Sequence, residues 1–378
     1  MTPDVRRILL AQVVFGFAWS LYLLMPKYLT TELQASPEVI GRISAMGGLA
    51  GLMTVPLAGR WLDRVGRKPF FRLGCVLIVL LSLGYTQLRS LGPLAYVLQG
   101  CISAAFVLAF NAAAALLTDF APPERLGQAI GWLGSCNVLM NAVATMIAEP
   151  LAAASGWRAV FLLGAVAGVG ALALSFGLPD SPLTAATTDA SAALAEPVAL
   201  REIAPILITT LVAGAVFVAN FSFLQPYAVS LGARAVGSFY VGYTVSAVLA
   251  RVVFGGLGDR IGRRRVAGCM LLGYGLCALA LRDLQPQWLS LYGLSFGVAH
   301  GLLYPNLNAL LLELLPTARR GLGMVLYNGA FNLGSSTGGL VWGVLAHRHG
   351  YGSLYLTASG ASLVGTAVLI ASRKRHAR

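Results

Sequence analysis

The residues of this chain that could do chemistry are few, and they stand inside apolar runs. His300, Tyr304 and Asn308 follow one another at four-residue intervals, which places an imidazole, a phenol and an amide on one face of a helix. Arg251 precedes Asp259 by eight residues and so lies about 12 Å into its own apolar stretch at the helical rise. Glu149 comes 23 residues after Leu126, roughly 35 Å along a helix. That depth predicts a place near the far surface of a membrane, with Arg158 as its ion-pair partner and a coupling role as the lesser reading. An ionisable group at the centre of a membrane span costs about 2.5 to 3.5 kcal/mol on insertion scales, so such residues mark solute sites or proton relays by default. Two readings of each stay open. Arg251 either faces a solute cavity or is neutralised by backbone carbonyls and nearby carboxylates, and His300 either titrates at a site near neutral pH or is a satisfied packing residue.

Charge is concentrated in two short stretches. "GRWLDRVGRKP" begins at Gly59 and carries Arg60, Asp63, Arg64, Arg67 and Lys68, and "GGLGDRIGRRR" begins at Gly255 and carries Asp259, Arg260, Arg263, Arg264 and Arg265. Only 11% of the 378 residues are charged, against about 25% in an ordinary soluble domain. Over the whole chain the composition is that of a bilayer protein, 57% apolar with a mean hydropathy of +0.76.

A span needs about 20 apolar residues, and the charge clusters and prolines leave twelve such segments, near residues 8–29, 41–62, 69–87, 94–118, 126–150, 158–178, 203–231, 237–258, 266–284, 287–315, 320–346 and 351–372. Runs of this length do not suit the short alternating strands of a membrane barrel. The formal net charge of +13 is distributed by side. Of 27 Lys and Arg, 19 fall between alternate pairs of spans or at the termini, and seven fall on the opposite side, with Arg251 in neither set. The positive-inside rule makes the richer side cytoplasmic, together with both termini, and assigns the basic charge to topology, not to nucleic acid. The five cysteines lie within apolar runs and imply no disulfide framework. The first span lacks a small-residue cleavage site and reads as retained.

The segment "PDSPLTAATTDASAALAEPVALRE" separates the sixth span from the seventh. It predicts three parts: a six-helix bundle over 1–178, a cytoplasmic linker over 179–202 and a second six-helix bundle over 203–378. The halves are repeats. Gly59, Asp63, Arg64, Gly66 and Arg67 match Gly255, Asp259, Arg260, Gly262 and Arg263 at an offset of 196 residues. "LLTDFAPPERLG" then matches "LLLELLPTARRG" at an offset of 194, setting Asp119 against Glu313 and Arg125 against Arg319, and "GWRAVF" overlies "GYGSLY" at the same offset. Six spans per half is an even number, so the two bundles share a topology and are related by pseudo-two-fold symmetry about the membrane normal.

Both charged stretches match G-x-x-x-D-R-x-G-R-[RK] in full, and with the repeated twelve-span layout the chain resembles the major facilitator superfamily of secondary transporters. "YPNLNALLLELLPTARRG" and "YVGYTVSAVLARVVFGGLGDRIGRR" look like its drug and metabolite exporters, whereas the span-five G-P-x-x-G-G-like run of antiporters has no counterpart here. The resemblance implies an all-α membrane protein whose two bundles enclose a central cavity open alternately to each side. It also implies pairing of Arg67 with Asp119 and of Arg263 with Glu313, and a place for Asp63 at the N-terminus of span eleven, where the helix dipole favours an anion. Such paired cytoplasmic latches would favour the outward-open state and break for inward opening. A purely topological charge cluster needs neither the repeated Asp nor the repeated glycines.

In spans that line the family's cavity the chain carries Trp19, Tyr22, Asn111, Asn137, Asn141, Asn220, Gln225, Tyr327, Asn328 and Asn332. Each Asn alone is as well explained as interhelical glue. Together they describe a polar cavity with aromatic walls, and the lack of Asp or Glu at mid-depth predicts a neutral, zwitterionic or anionic organic solute with Arg251 and His300 as its main polar contacts. The expected activity is proton-linked efflux of a metabolite or drug across a bacterial-type inner membrane, or alternatively uptake of a small neutral or anionic nutrient. The expected partners are that solute, protons and the bilayer, with the chain a monomer. No cofactor or metal is implied, and no nucleophile or acid/base cluster of an enzyme is present in the sequence.

Overall fold

The structure, a computed structural model, describes residues 2–122, 125–180, 200–316 and 319–372, with backbone alone at 55–65, 127 and 200. Most of the expected linker falls on 181–199, outside the described residues. The described chain is helical, without a strand. The first span is α1 (Pro3–Ser20), a 3-10 turn (Leu21–Leu24) and α2 (Met25–Thr31). Then come α3 (Pro37–Val65), α4 (Arg67–Tyr85), α5 (Pro93–Phe120), α6 (Leu126–Ser155) and α7 (Trp157–Phe176). The second half begins with α8 (Leu200–Val218), a π-helical segment (Ala219–Phe223) and α9 (Leu224–Ser230). It continues with α10 (Gly237–Phe254), α11 (Leu257–Ile261), α12 (Arg263–Leu281), α13 (Leu289–Glu313) and α14 (Arg320–Ala371). Among the described residues nine helical stretches are long and apolar enough to cross a membrane, and α14 covers two of the expected spans.

Local chemistry explains several boundaries. α1 starts at Pro3, whose missing N–H costs nothing in a first turn, and Thr2 Oγ1 accepts from Val5 N at 3.3 Å. Two pairs of helices turn at glycines with positive φ. Gly66 (φ 96°) and Gly262 (φ 97°) open α4 and α12, while Gly156 (φ 77°, ψ 166°) separates α6 from α7 and Gly350 (φ 79°, ψ 166°) breaks α14. Each pair stands at the repeat offset read from the sequence, so the internal duplication reaches the backbone dihedrals. L-residues avoid this region, which is why Gly stays there in both copies.

By contact the chain divides into two units, one of residues 1–28 and 50–187, the other of 29–49 and 188–378. The second unit thus takes in the first half of α3, where a Cβ on Gly41 would lie 2.2 Å from Gly339 O and one on Gly48 2.1 Å from Ser336 Oγ. In the first unit an aromatic cluster of Tyr22, Tyr85 and Phe161 fills the space between the 3-10 turn, α4 and α7. In the second, Gly293, Gly297 and Gly301 of α13 lie against α10, close enough that a Cβ on Gly293 would come within 2.1 Å of Phe239 O. This small-residue spacing is how membrane helices bring backbones together without a hydrophobic drive.

Candidate functional site

The close α10–α13 approach sets the polar centre of the second unit. His300 sits on α13 next to Gly301, 8% exposed, and its Nδ1 shares a hydrogen bond of 2.5 Å with the Tyr274 hydroxyl of α12. Rings of Phe217, Tyr243 and Tyr304 surround it with centroids 5.0 to 5.7 Å away. Asn220, in the π-helical segment, donates from Nδ2 to Tyr274 O at 3.2 Å and keeps a buried Oδ1 without a hydrogen-bond partner. One turn along α13, the Tyr304 hydroxyl donates to Asn328 Oδ1 at 2.6 Å, and the Tyr327 hydroxyl donates to Tyr304 O at 2.8 Å. Asn308 Oδ1 is buried without a partner, and Asn332 is half-buried. Arg251, half-buried on α10, donates from Nε to Gly301 O at 3.3 Å and forms no ion pair among the described residues. A backbone carbonyl thus takes one N–H, as one of its two readings expected, and no carboxylate among the described residues pairs with the guanidinium.

Not every expected cavity residue has this geometry. Gln225 is fully buried and bonds the Tyr240 hydroxyl, which in turn donates to Phe221 O at 2.8 Å. In the first unit the Tyr22 hydroxyl donates to Ser82 Oγ at 2.6 Å, and Asn141 Oδ1 accepts from Ser20 at 2.9 Å. These three side chains are occupied as interhelical glue, as is Tyr327. Asn111 is exposed, with Nδ2 turned back to Val107 O, and Trp19 stacks on Phe106 at 4.2 Å. Asn137 presses its Oδ1 towards Gly16 without a hydrogen bond.

Glu149 requires a correction. Its partner is Lys27, with Nζ 2.5 Å from Oε1 and only 9% and 8% of the two side chains exposed, whereas Arg158 is solvent-exposed. The helical ruler gave the depth of Glu149 and could not give its direction around α6, which points to the first span.

The charged stretches place their pairs as the resemblance implied. Arg67 Nε lies 3.1 Å from Asp119 Oδ2, and Arg263 Nε lies 3.2 Å from Glu313 Oε1. Arg263 also donates from Nη2 to Asp259 Oδ1 at 2.8 Å, so Asp259 is held by its own motif. A Cβ on Gly255 would meet Arg251 O at 2.3 Å. Arg125 and Arg260 are exposed, and Arg319 is buried at the start of α14. Only the backbone of Gly59, Asp63 and Arg64 is described, so the expected seat of the Asp63 carboxylate lies outside the described residues. Sequence reasoning missed Tyr274, Tyr243 and Phe217, although Tyr243 stands eight residues before Arg251 and so on the same helix face. It also missed Lys27 as a buried group, although a Lys directly after an apolar run and Pro26 was a signal.

Apolar helices of this length, repeated in two halves with an ion pair at the same place in each, define a duplicated membrane-spanning fold. The sequence pattern of the Major Facilitator Superfamily matches residues 8–243 and 206–378, and the chain belongs to that family. Multi-drug resistance efflux pump PmrA of Streptococcus pneumoniae is 27% identical over 355 residues, covering 84% of this chain and 82% of the pump. A gallate transporter of Pseudomonas putida is 35% identical over 117 residues, and the match spans 31% of this chain but only a quarter of that transporter's length. Solved structures agree in fold: the nucleoside transporter NupG has a TM-score of 0.76 at 15% identity, covering 99% of this chain and 100% of NupG. The xylose transporter XylE from E. coli, in an inward open conformation, gives 0.76 at 16% identity over 96% of this chain and 94% of XylE. A POT family transporter with a bound peptide conjugate gives 0.82 at 12% identity over 98% and 96%.

Proposed function

We propose that this membrane transporter is a proton-linked exporter of a small neutral, zwitterionic or anionic organic solute, working by alternating access and without enzymatic activity. The observation that carries the solute class is Arg251, a half-buried cation in an apolar span with no ion pair among the described residues, one residue contact from the His300 cluster. An anionic or electron-rich group on the solute satisfies it at little desolvation cost, whereas a cation there is repelled. Export is favoured by the long match to an efflux pump. Uptake of an anionic nutrient is the second reading, favoured by the short match to a gallate transporter. Arg67–Asp119 and Arg263–Glu313 act as the cytoplasmic latches. The protein resides as a monomer in the inner membrane with both termini in the cytoplasm.

The test is purified protein in liposomes with an internal pH dye, given gallate, a nucleoside, xylose, a dipeptide and ethidium in turn. Proton movement dependent on one of the uncharged or anionic solutes, lost in Arg251→Ala and His300→Ala, is the expected result. Movement of ethidium alone, or full transport in both variants, overturns the reading.

A further inference from the structure

Asn137, Asn141, Thr145 and Glu149 recur at four-residue intervals and form a polar stripe on α6. The first span meets it at three of these four positions. Asn137 Oδ1 would lie 3.2 Å from a Cβ on Gly16, Ser20 Oγ donates to Asn141, and Lys27 pairs with Glu149, while Thr145 Oγ1 turns back within α6 to Asn141 O at 2.9 Å. The stripe ends at Lys27–Glu149, six residues before the end of α6 and four before the end of α2. At its other end, Gln12 is fully buried with neither Oε1 nor Nε2 hydrogen-bonded. Gln12 and Asn137 therefore offer donors and acceptors that water would satisfy.

Stability alone gives no reason for an ion pair here. Replacing a buried ion pair by apolar side chains of similar volume is often neutral or stabilising, while losing one partner is costly. Ionisable groups within membrane spans are functional candidates by default, and a carboxylate is the member of this pair that can take up a proton. Other charged groups on the elements packed there are Glu32 on the chain just past α2, Arg89 before α5 and Arg158 on α7, all solvent-exposed. The hydroxyl of Tyr28 is committed to Leu88 O at 2.8 Å, and that of Tyr22 to Ser82.

We propose that the Lys27–Glu149 pair is the site that carries the transported proton, an inference that rests on the proton-linked reading above. A proton from the aqueous phase adds to a Glu149 carboxylate oxygen, the ion pair is lost, and Lys27 keeps its three N–H bonds and its charge. The pair passes from net zero to net +1, and release of the proton restores it. A net positive charge is costly in an apolar interior, so protonation favours whichever state of the transporter brings the pair to water or to an anion.

Two measurements test this. In nanodiscs without solute, infrared titration of the wild-type protein should show a protonated-carboxyl C=O band that Glu149→Gln removes. An unchanged band in E149Q overturns the assignment. In the liposome assay, E149Q and the double variant Lys27→Met/Glu149→Leu should lose solute-dependent proton movement to the level of empty liposomes, while still exchanging labelled solute across the membrane. The double variant should remain monodisperse, because two apolar side chains fill the same space. Undiminished proton movement in the double variant removes this pair from coupling and leaves the transporter reading intact. A Glu149 band without proton-linked flux of any solute in the wild type instead overturns the proton-linked reading, and the coupling role of the pair with it.

Discussion

Arg67 and Arg263 occupy equivalent places in the repeat, yet their ion pairs are not equal. The first has 10% and 19% of its side chains exposed, the second 30% and 53%, and Arg263 divides its guanidinium between Glu313 and Asp259. Loss of one partner of a buried pair costs up to about 3 to 5 kcal/mol, while exposed pairs contribute about 0 to 1 kcal/mol. Asp119→Asn should therefore lower the unfolding temperature in detergent more than Glu313→Gln, and the reverse order would show that the motif copies do not differ by burial. The partners were legible in the residues because Asp119 and Glu313 recur at the same offset beside a repeated Arg. The inequality was not, because exposure is set by the packing around each copy. Likewise the depth of Glu149 followed from counting along a helix, but its partnership with Lys27 depends on which face of α6 meets the first span.

Helix packing decides what the polar residues become. Gly293, Gly297 and Gly301 align along α13, and a Cβ on Gly297 would lie 2.1 Å from Ser246 Oγ and 2.3 Å from Tyr243 O. The same approach sets Arg251 of α10 against Gly301 O and brings Tyr243 to His300. Gly297→Leu should separate the two helices and abolish a monodisperse peak in size-exclusion chromatography, whereas Gly360→Leu on α14, with open space where its Cβ would go, should be tolerated. Equal behaviour of the two variants would deny the close approach its structural role. The G-x-x-x-G spacing is present in the sequence, but the helix that receives it is a tertiary fact. For the same reason the first and seventh spans read as continuous runs and are in fact interrupted, by a 3-10 turn carrying Tyr22 and a π-helical segment carrying Asn220. Changes of helical pitch re-aim side chains, and hydropathy has no term for them.

At the scale of the molecule, duplication and charge were the most legible features, since each is summed over many residues and tolerates local error. The duplication recurs in the glycines at Gly66 and Gly262 and at Gly156 and Gly350, whose φ values agree within two degrees in each pair. The charge asymmetry carries a prediction about sidedness. The twelve-span reading assigns nineteen Lys and Arg to the side of the paired motifs and seven to the other, and near-span positive charge resists translocation. In a variant freed of its five native cysteines, a cysteine at Arg89, between α4 and α5, should react with a membrane-impermeant maleimide added to intact cells. One at Arg260, within the second motif and also exposed in the structure, should react only after the cells are permeabilised. The opposite pattern would put both ion-pair motifs on the outer face. Lys27–Glu149, near the end of α6 opposite Arg125, would then meet the cytoplasm and exchange protons with it.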